Sequence, residues 1–86
     1  MDTIKFANGE IHSCPHLVPN PDMQMLFVAL DDVSFAEASA IFSDENKTKE
    51  MEWGAYRFIG YSELLYVKRE DYGYKACLKG GYYEQK

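Results

Sequence analysis

Most hydrophobic residues in this chain recur at every second position or form short runs, and one segment, Ser34–Asp44, has the spacing of an amphipathic helix. Ser34 and Glu37 have capping-box spacing, in which the hydroxyl accepts from the amide of Glu37 and the carboxylate reaches back. The apolar positions of the segment share one helical face: Phe35, Ala38, Ile41 and Phe42. We expect a short helix on a sheet, with Phe35, Ile41 and Phe42 packed chiefly against the strand at Met23–Leu30.

Residues 4–13 have the pattern of a hairpin centred on Asn8-Gly9. Both residues tolerate positive φ, so the pair favours a two-residue type I′ turn. With that turn Phe6 would face Ile11, and both would share one side of the hairpin with Ile4.

Three prolines interrupt the next stretch, and we predict a loop over His16–Asp22 because proline lacks the donor that a central strand needs. The nearly continuous apolar run Met23–Leu30 then predicts a central strand covered on both faces. Glu50–Trp53 and Tyr56–Arg69 also have strand patterns, and Gly60 predicts a bulge within the second. The final strand is predicted at 74–79, and glycines 80 and 81 are expected to release a tail.

The chain therefore has the pattern of one α+β domain, residues 1–86, with the order β-β-β-α-β-β-β. A small antiparallel β-sheet, a sandwich and a partly open barrel, each with one amphipathic helix, all fit this order. A chain of 86 residues buries a small core and has modest stability.

Charge adds a prediction about partners. Nine basic and fourteen acidic residues give a net charge of −5, which disfavours a nonspecific nucleic-acid binder. Three bases and nine acids fall in residues 1–50, and six bases and five acids in residues 51–86. A solvated surface is the commoner explanation, but this asymmetry also favours contact between unlike surfaces of two copies.

No secretory signal and no apolar stretch long enough to span a bilayer is apparent, so we expect a protein that is cytoplasmic when synthesised, with no membrane partner. Cys14 and Cys77 are then expected to be reduced thiols.

One short segment has a metal-like composition: His12-Ser-Cys14-Pro-His16, with Cys77 as a conceivable fourth ligand. The alternative is a surface histidine, a buried thiol and a loop histidine, and Pro15 bends the strand that would align them. The paired acids at 31–32 and 44–45 are typical of solvated helix approaches and exits. We therefore predict no metal, no cofactor, no disulfide, no catalytic residue and no enzymatic activity.

Aromatic residues are the remaining candidates for function. One set fits either a ligand- or partner-binding face or, more commonly, core and half-exposed strand positions: Trp53, Tyr56, Phe58, Tyr61 and Tyr66. A second set exceeds what so small a core can hold and is the candidate protein-interaction surface: Tyr72, Tyr74, Tyr82 and Tyr83.

The 4–9 hairpin, the Val33–Asp44 segment and Phe58-Ile-Gly-Tyr61, in this order, resemble small proteins encoded in prophages of gut Firmicutes, often among tail genes. The likeness covers about half of the chain, and the Cys14–His16 segment and the tyrosine-rich C-terminus depart from it. It implies a virion structural or assembly protein that binds copies of itself or other virion subunits. The alternative is a small bacterial cytosolic binding or regulatory module with an unknown ligand.

Overall fold

A computed structural model describes residues 2–86, and these residues form nine strands and two helices. The elements are β1 (Thr3–Lys5), β2 (Ile11–Ser13), β3 (His16–Asn20), β4 (Met25–Leu30), α1 (Phe35–Phe42), α2 (Glu45–Thr48), β5 (Glu50–Trp53), β6 (Tyr56–Ile59), β7 (Glu63–Glu70), β8 (Gly73–Lys79) and β9 (Tyr82–Gln85). The predicted order of six strands and one helix was therefore wrong in detail.

The strands form two open antiparallel sheets, which confirms the antiparallel sheet structure predicted within the α+β class. Sheet A has the order β2-β1-β5-β6-β9, and sheet B has the order β3-β4-β8-β7. The inner faces of both sheets contribute to one buried cluster: Ile4, Phe6, Leu17, Leu26, Val28, Leu30, Met51, Phe58, Tyr61, Ala76 and Leu78, with Cys14 and the helical Ala38, Ile41 and Phe42. The two sheets thus share a single core, and neither closes into a barrel.

The capping box is present as predicted. The amide of Glu37 donates to Ser34 Oγ at 3.1 Å, and the amide of Ser34 donates to Glu37 Oε1 at 3.1 Å. Ile41 and Phe42 are buried, but Phe35 is 51% exposed, and its ring meets that of Tyr74 on β8 edge to face, with the ring centres 5.7 Å apart. The helix contacts chiefly β8 and β7, and β4 less. Two parts of the packing prediction were therefore wrong, because Phe35 lies in the first turn, beside the core rather than over it.

The first hairpin has a longer connection than the predicted two-residue turn. Lys5 pairs with Ile11, and residues 6–10 form the loop, closed by the bond from the amide of Phe6 to the carbonyl of Glu10 at 2.8 Å. This register places Ile11 on the Lys5 side of the sheet, where it is exposed, and leaves Ile4 in the core. A one-residue change in register moves a side chain to the other face, so the predicted pairing of Phe6 with Ile11, and the side that Ile11 was to share with Ile4, were wrong.

Residues 16–20 were predicted as loop but form β3. This strand lies at the edge of sheet B and pairs only with β4, with Pro19 opposite Leu26. An edge strand has one row of backbone groups without ladder partners, so it tolerates proline. β4 occupies the central position that its apolar run predicted, between β3 and β8.

Residues 56–69 do not form one strand. β6 belongs to sheet A and β7 to sheet B, and Gly60, with a φ of +82°, lies at the crossing. The irregularity in pairing falls between Leu64 and Tyr66 instead of at Gly60. The chain divides here because Gly60 adopts a conformation that ends a strand.

The C-terminal residues also differ from the prediction. β8 is an inner strand of sheet B, and 82–85 is no free tail but the edge strand β9, which pairs with β6. The link between them passes so close to β6 that a Cβ on Gly81 would lie 2.2 Å from the carbonyl oxygen of Ile59. Glycine at 81 therefore allows the chain to cross from sheet B back to sheet A.

Candidate functional site

The outer face of sheet B carries an apolar row that crosses all four strands. Val18 lies opposite Phe27, Phe27 opposite Cys77, and Cys77 opposite Tyr66. These four side chains point away from the core because their strand neighbours Leu17, Leu26, Val28 and Leu78 point into it. Val18 is 56% exposed and Tyr66 43% exposed, so the row presents apolar and aromatic surface to solvent at both ends.

A second row beside it forms a shallow cavity. His16, Ala29, Lys75 and Lys68 lie opposite one another along this row, and the ring of Tyr72 lies 4.1 Å from the ring of His16. The cavity is about 250 Å³ and is lined by His16, Val18, Phe27, Ala29, Tyr72 and Lys75. The ammonium of Lys75 lies 5.5 Å from the centre of the Phe27 ring, which is a cation–π distance.

The charges on this face differ from those of the whole molecule. Glu70 pairs with Lys75 at 3.3 Å and with Lys68 at 3.7 Å, and its carboxylate raises the pKa of Lys75. Lys79 and Glu63 complete the face, which therefore has three lysines and two glutamates. The rest of the chain has six basic and twelve acidic residues. The outer face of sheet B is thus weakly basic on an otherwise acidic protein.

A separate groove lies between the two sheets. It is about 230 Å³ and is lined by Leu17, Pro19, Trp53, Tyr56, Phe58 and Tyr83. Trp53 and Tyr56 are direct cross-strand partners, as are Phe58 and Tyr83, so four rings occupy one patch of the inner face of sheet A. Leu17 and Pro19 of β3 form the opposite wall. We call this cavity the inter-sheet groove.

The four tyrosines of the predicted interaction surface lie in different places. Tyr72 is beside the cavity on the outer face of sheet B, and Tyr74 packs against Phe35 and the core. Tyr82 is 58% exposed on β9, and Tyr83 points into the inter-sheet groove. The four residues therefore do not form one surface, and Tyr72 is the member that lies beside the cavity on the outer face of sheet B.

The larger aromatic set is also divided. Trp53, Tyr56 and Phe58 line the inter-sheet groove, Tyr61 is buried in the core, and Tyr66 lies on the outer face of sheet B. The alternation of side chains along each strand explains this distribution, once it is known that the chain passes from sheet A to sheet B at Gly60. The sequence does not identify Val18 and Phe27 as surface candidates. Val18 lies in the segment predicted as a loop, and the apolar run at 23–30 does not show which face of its strand is exposed to solvent.

His12 holds a carboxylate at each ring nitrogen instead of facing a metal site. Its Nδ1 lies 3.2 Å from Asp32 Oδ1, and its Nε2 lies 3.4 Å from Glu10 Oε2. Bonds from the Asn8 amide, then from Lys47 and His12, lower the pKa of Glu10 to about 2. This network ties the first hairpin to the loop before α1 and to α2.

The other metal-like residues lie apart. Cys14 is buried and its thiol donates to the carbonyl of His16 at 3.3 Å, while burial raises the pKa of Cys14 to about 12. Cys77 lies on the outer face of sheet B, and both thiols are free. Within residues 2–86 no group of three or more His, Cys, Asp or Glu side chains has the arrangement of a metal site. The paired acids at 31–32 and 44–45 make hydrogen bonds to the backbone. Asp32 accepts from the amide of Ser13, and Asp44 accepts from the amide of Asn46.

Comparison with protein-family models, curated proteins and solved structures finds no match to this chain. Neither helix within residues 2–86 has the length and apolar character needed to cross a membrane.

Proposed function

We propose that this protein acts by binding protein, that the outer face of sheet B is its contact surface, and that a second copy of the chain is one partner. The observation that carries the proposal is the apolar row Val18–Phe27–Cys77–Tyr66, open at both ends and bordered by lysines. Exposed apolar rows with a polar rim are typical of protein contacts.

Charge favours a second copy as the occupant. The face carries more lysines than glutamates, while the rest of the molecule has twice as many acids as bases. A second copy that binds this face through an acidic region would be attracted to it electrostatically. Two copies that bound through this same face would lack that attraction, because both surfaces are weakly basic. Such a head-to-tail contact produces a ring or a stack instead of a closed dimer.

The biological role that we propose is that of a phage-type structural or assembly component. Support for it comes from the resemblance at residues 4–9, 33–44 and 58–61 and from the contact surface. A head-to-tail contact also suits a subunit that repeats along a virion. The second candidate is a small bacterial binding or regulatory module, and the inter-sheet groove is the observation that favours it.

We also propose that the protein is neither an enzyme nor a nucleic-acid binder. Both ring nitrogens of His12 are occupied by carboxylates, so neither is presented to a substrate. Aromatic residues and lysines on a sheet can bind single strands, but two of the three lysines of this face are already paired with the carboxylate of Glu70.

Light scattering from micromolar to millimolar concentration tests the contact, with Val18→Asp as the variant and Ile11→Asp as the control. Both positions are highly exposed, but Ile11 lies on sheet A. We expect the mass of the wild type and of Ile11→Asp to rise with concentration and that of Val18→Asp to stay monomeric. A wild type that is monomeric throughout, equal loss in both variants, or oligonucleotide binding that Val18→Asp abolishes would contradict the proposal.

A further inference from the structure

We propose that the inter-sheet groove is a binding site for a small, neutral, planar aromatic molecule of about two fused rings. The site is independent of the outer face of sheet B. Its lining belongs to the inner face of sheet A and to the edge strand β3, whereas the proposed protein contact uses the opposite side of sheet B.

The walls of the groove are flat and aromatic. The rings of Phe58 and Tyr83 have centres 5.8 Å apart with 35° between their planes, and the rings of Tyr56 and Tyr83 meet edge to face at 6.0 Å. Flat rings favour offset or edge-on contact with another flat ring. A planar aromatic guest can therefore contact several of these walls at once.

The lining also selects against charge. None of its six residues is ionised near neutral pH, so a buried charge on the guest would lose its hydration without gaining a partner. The indole N–H of Trp53 already donates to the carbonyl of Cys14 at 3.2 Å, so Trp53 offers its ring rather than a donor. The hydroxyls of Tyr56 and Tyr83 are the other polar side-chain groups of the lining and can meet one polar atom of the guest.

Size sets the class of ligand. The groove is about 230 Å³, and an apolar protein cavity of about 150 Å³ holds benzene. One ring would leave part of the groove empty, and two fused rings fill it. Tyr56 points toward the inner side of sheet A yet is 40% exposed, so the groove opens to solvent at this residue and a guest can enter there.

The probe for the test is unlabelled indole, added to ¹⁵N-labelled protein. Trp53 is the single tryptophan of the chain, so its Nε1–H gives one unambiguous resonance inside the groove. We expect saturable shifts of this resonance and of the amides of Leu17, Phe58 and Tyr83. Indole-2-carboxylate has the same rings with a charge added, and should bind at least about tenfold more weakly.

Two variants locate the binding. Tyr56→Leu keeps apolar volume but removes a ring, and we expect it to weaken indole binding at least about fivefold. Tyr82→Leu makes the same change on the other face of the neighbouring strand and should leave the affinity unchanged. Both positions are exposed enough for folded variants, which the dispersion of the amide spectrum checks. A shift that never saturates, equal affinity for the carboxylate, or equal effects of the two variants would overturn the assignment. Shifts of the Trp53 Nε1–H and of the Phe58 and Tyr83 amides on dilution without indole would also overturn it, since a second copy would then occupy the groove.

Discussion

The indole nitrogen of Trp53 donates a hydrogen bond to the carbonyl oxygen of Cys14, 3.2 Å away and 39 residues earlier in the chain. Trp53 ends β5, the central strand of sheet A, and Cys14 lies in the link through which the chain leaves sheet A for sheet B. This hydrogen bond thus connects the central strand of sheet A to the link between β2 and β3, where the chain passes from sheet A to sheet B.

Replacing Trp53 tests this tie. Trp53→Phe keeps an aromatic ring but removes the donor, and an orphaned carbonyl that is partly buried costs about 1–3 kcal/mol. We expect a lower free energy of unfolding by about that amount in urea titration. Tyr82→Phe, which removes an exposed hydroxyl, is the control and should change it by less than about 0.5 kcal/mol. A neutral Trp53→Phe would mean that water replaces the indole at no cost.

The two phenylalanines of α1 should differ sharply in their contribution to stability. Phe42 is fully buried and meets the Phe6 ring edge to face at 5.8 Å. Phe42→Ala should therefore cost about 3–5 kcal/mol, as cavities in well-packed cores do. Phe35→Ala should cost less than about 1 kcal/mol, because it loses only a half-exposed contact with Tyr74. Equal losses for the two variants in denaturant titration would contradict the placement of the helix.

Gly81→Ala should destabilise the protein by about 1–3 kcal/mol, because the added methyl group meets the backbone of residues 59–61. The sign is informative, since alanine in place of glycine at an unstrained position usually stabilises a protein by reducing the entropy of the unfolded chain. Thermal unfolding followed by circular dichroism gives the measurement. A raised midpoint would show that the sheet crossing has room to spare.

The lowered pKa of Glu10 predicts a dependence of stability on pH. The carboxylate is favoured in the folded state, where its pKa is about 2 instead of 4.5. Its contribution is therefore complete above about pH 4.5 and is lost as the pH falls toward 2. Glu10→Gln should be less stable than the wild type at neutral pH, and the difference should shrink on acidification. Asp22→Asn, in an exposed loop, is the control and should not show this pH-dependent loss of stability. The measurement is the thermal midpoint of each variant and of the wild type at several pH values.

The helix could be predicted because its signals are local. Ser34 and Glu37 are three residues apart, and spacing identifies Ala38, Ile41 and Phe42 as the buried positions of α1, although it also placed the exposed Phe35 with them. The first hairpin was harder, since the side chain of Asn8 accepts from the amide of Glu10 and helps to set a longer loop than Asn-Gly usually forms. Pro19 was misleading because tolerance of proline depends on whether a strand lies at an edge, and edge position is a property of the whole sheet.

The candidate surface was less predictable than the fold class. Val18, Phe27, Cys77 and Tyr66 come from four strands and meet only through strand order and register. Strand order and register are not encoded in short-range spacing. The irregularity between Leu64 and Tyr66 also changes which side chains of β7 point outward. Tyr72 was selected for its position near the C-terminus and joins this face through its contact with His16.

The most direct test of the proposed contact is the amide spectrum of the ¹⁵N-labelled wild type, recorded from micromolar to millimolar concentration at low and at moderate salt. We predict concentration-dependent shifts on the outward positions of β3, β4, β7 and β8, including Val18, Phe27 and Tyr66. The same shifts should be weaker at moderate salt, because the lysine-bordered face meets an acidic surface. A spectrum that does not change with concentration, or shifts confined to the β9 edge at Tyr82, would contradict the assignment of this face as the contact surface.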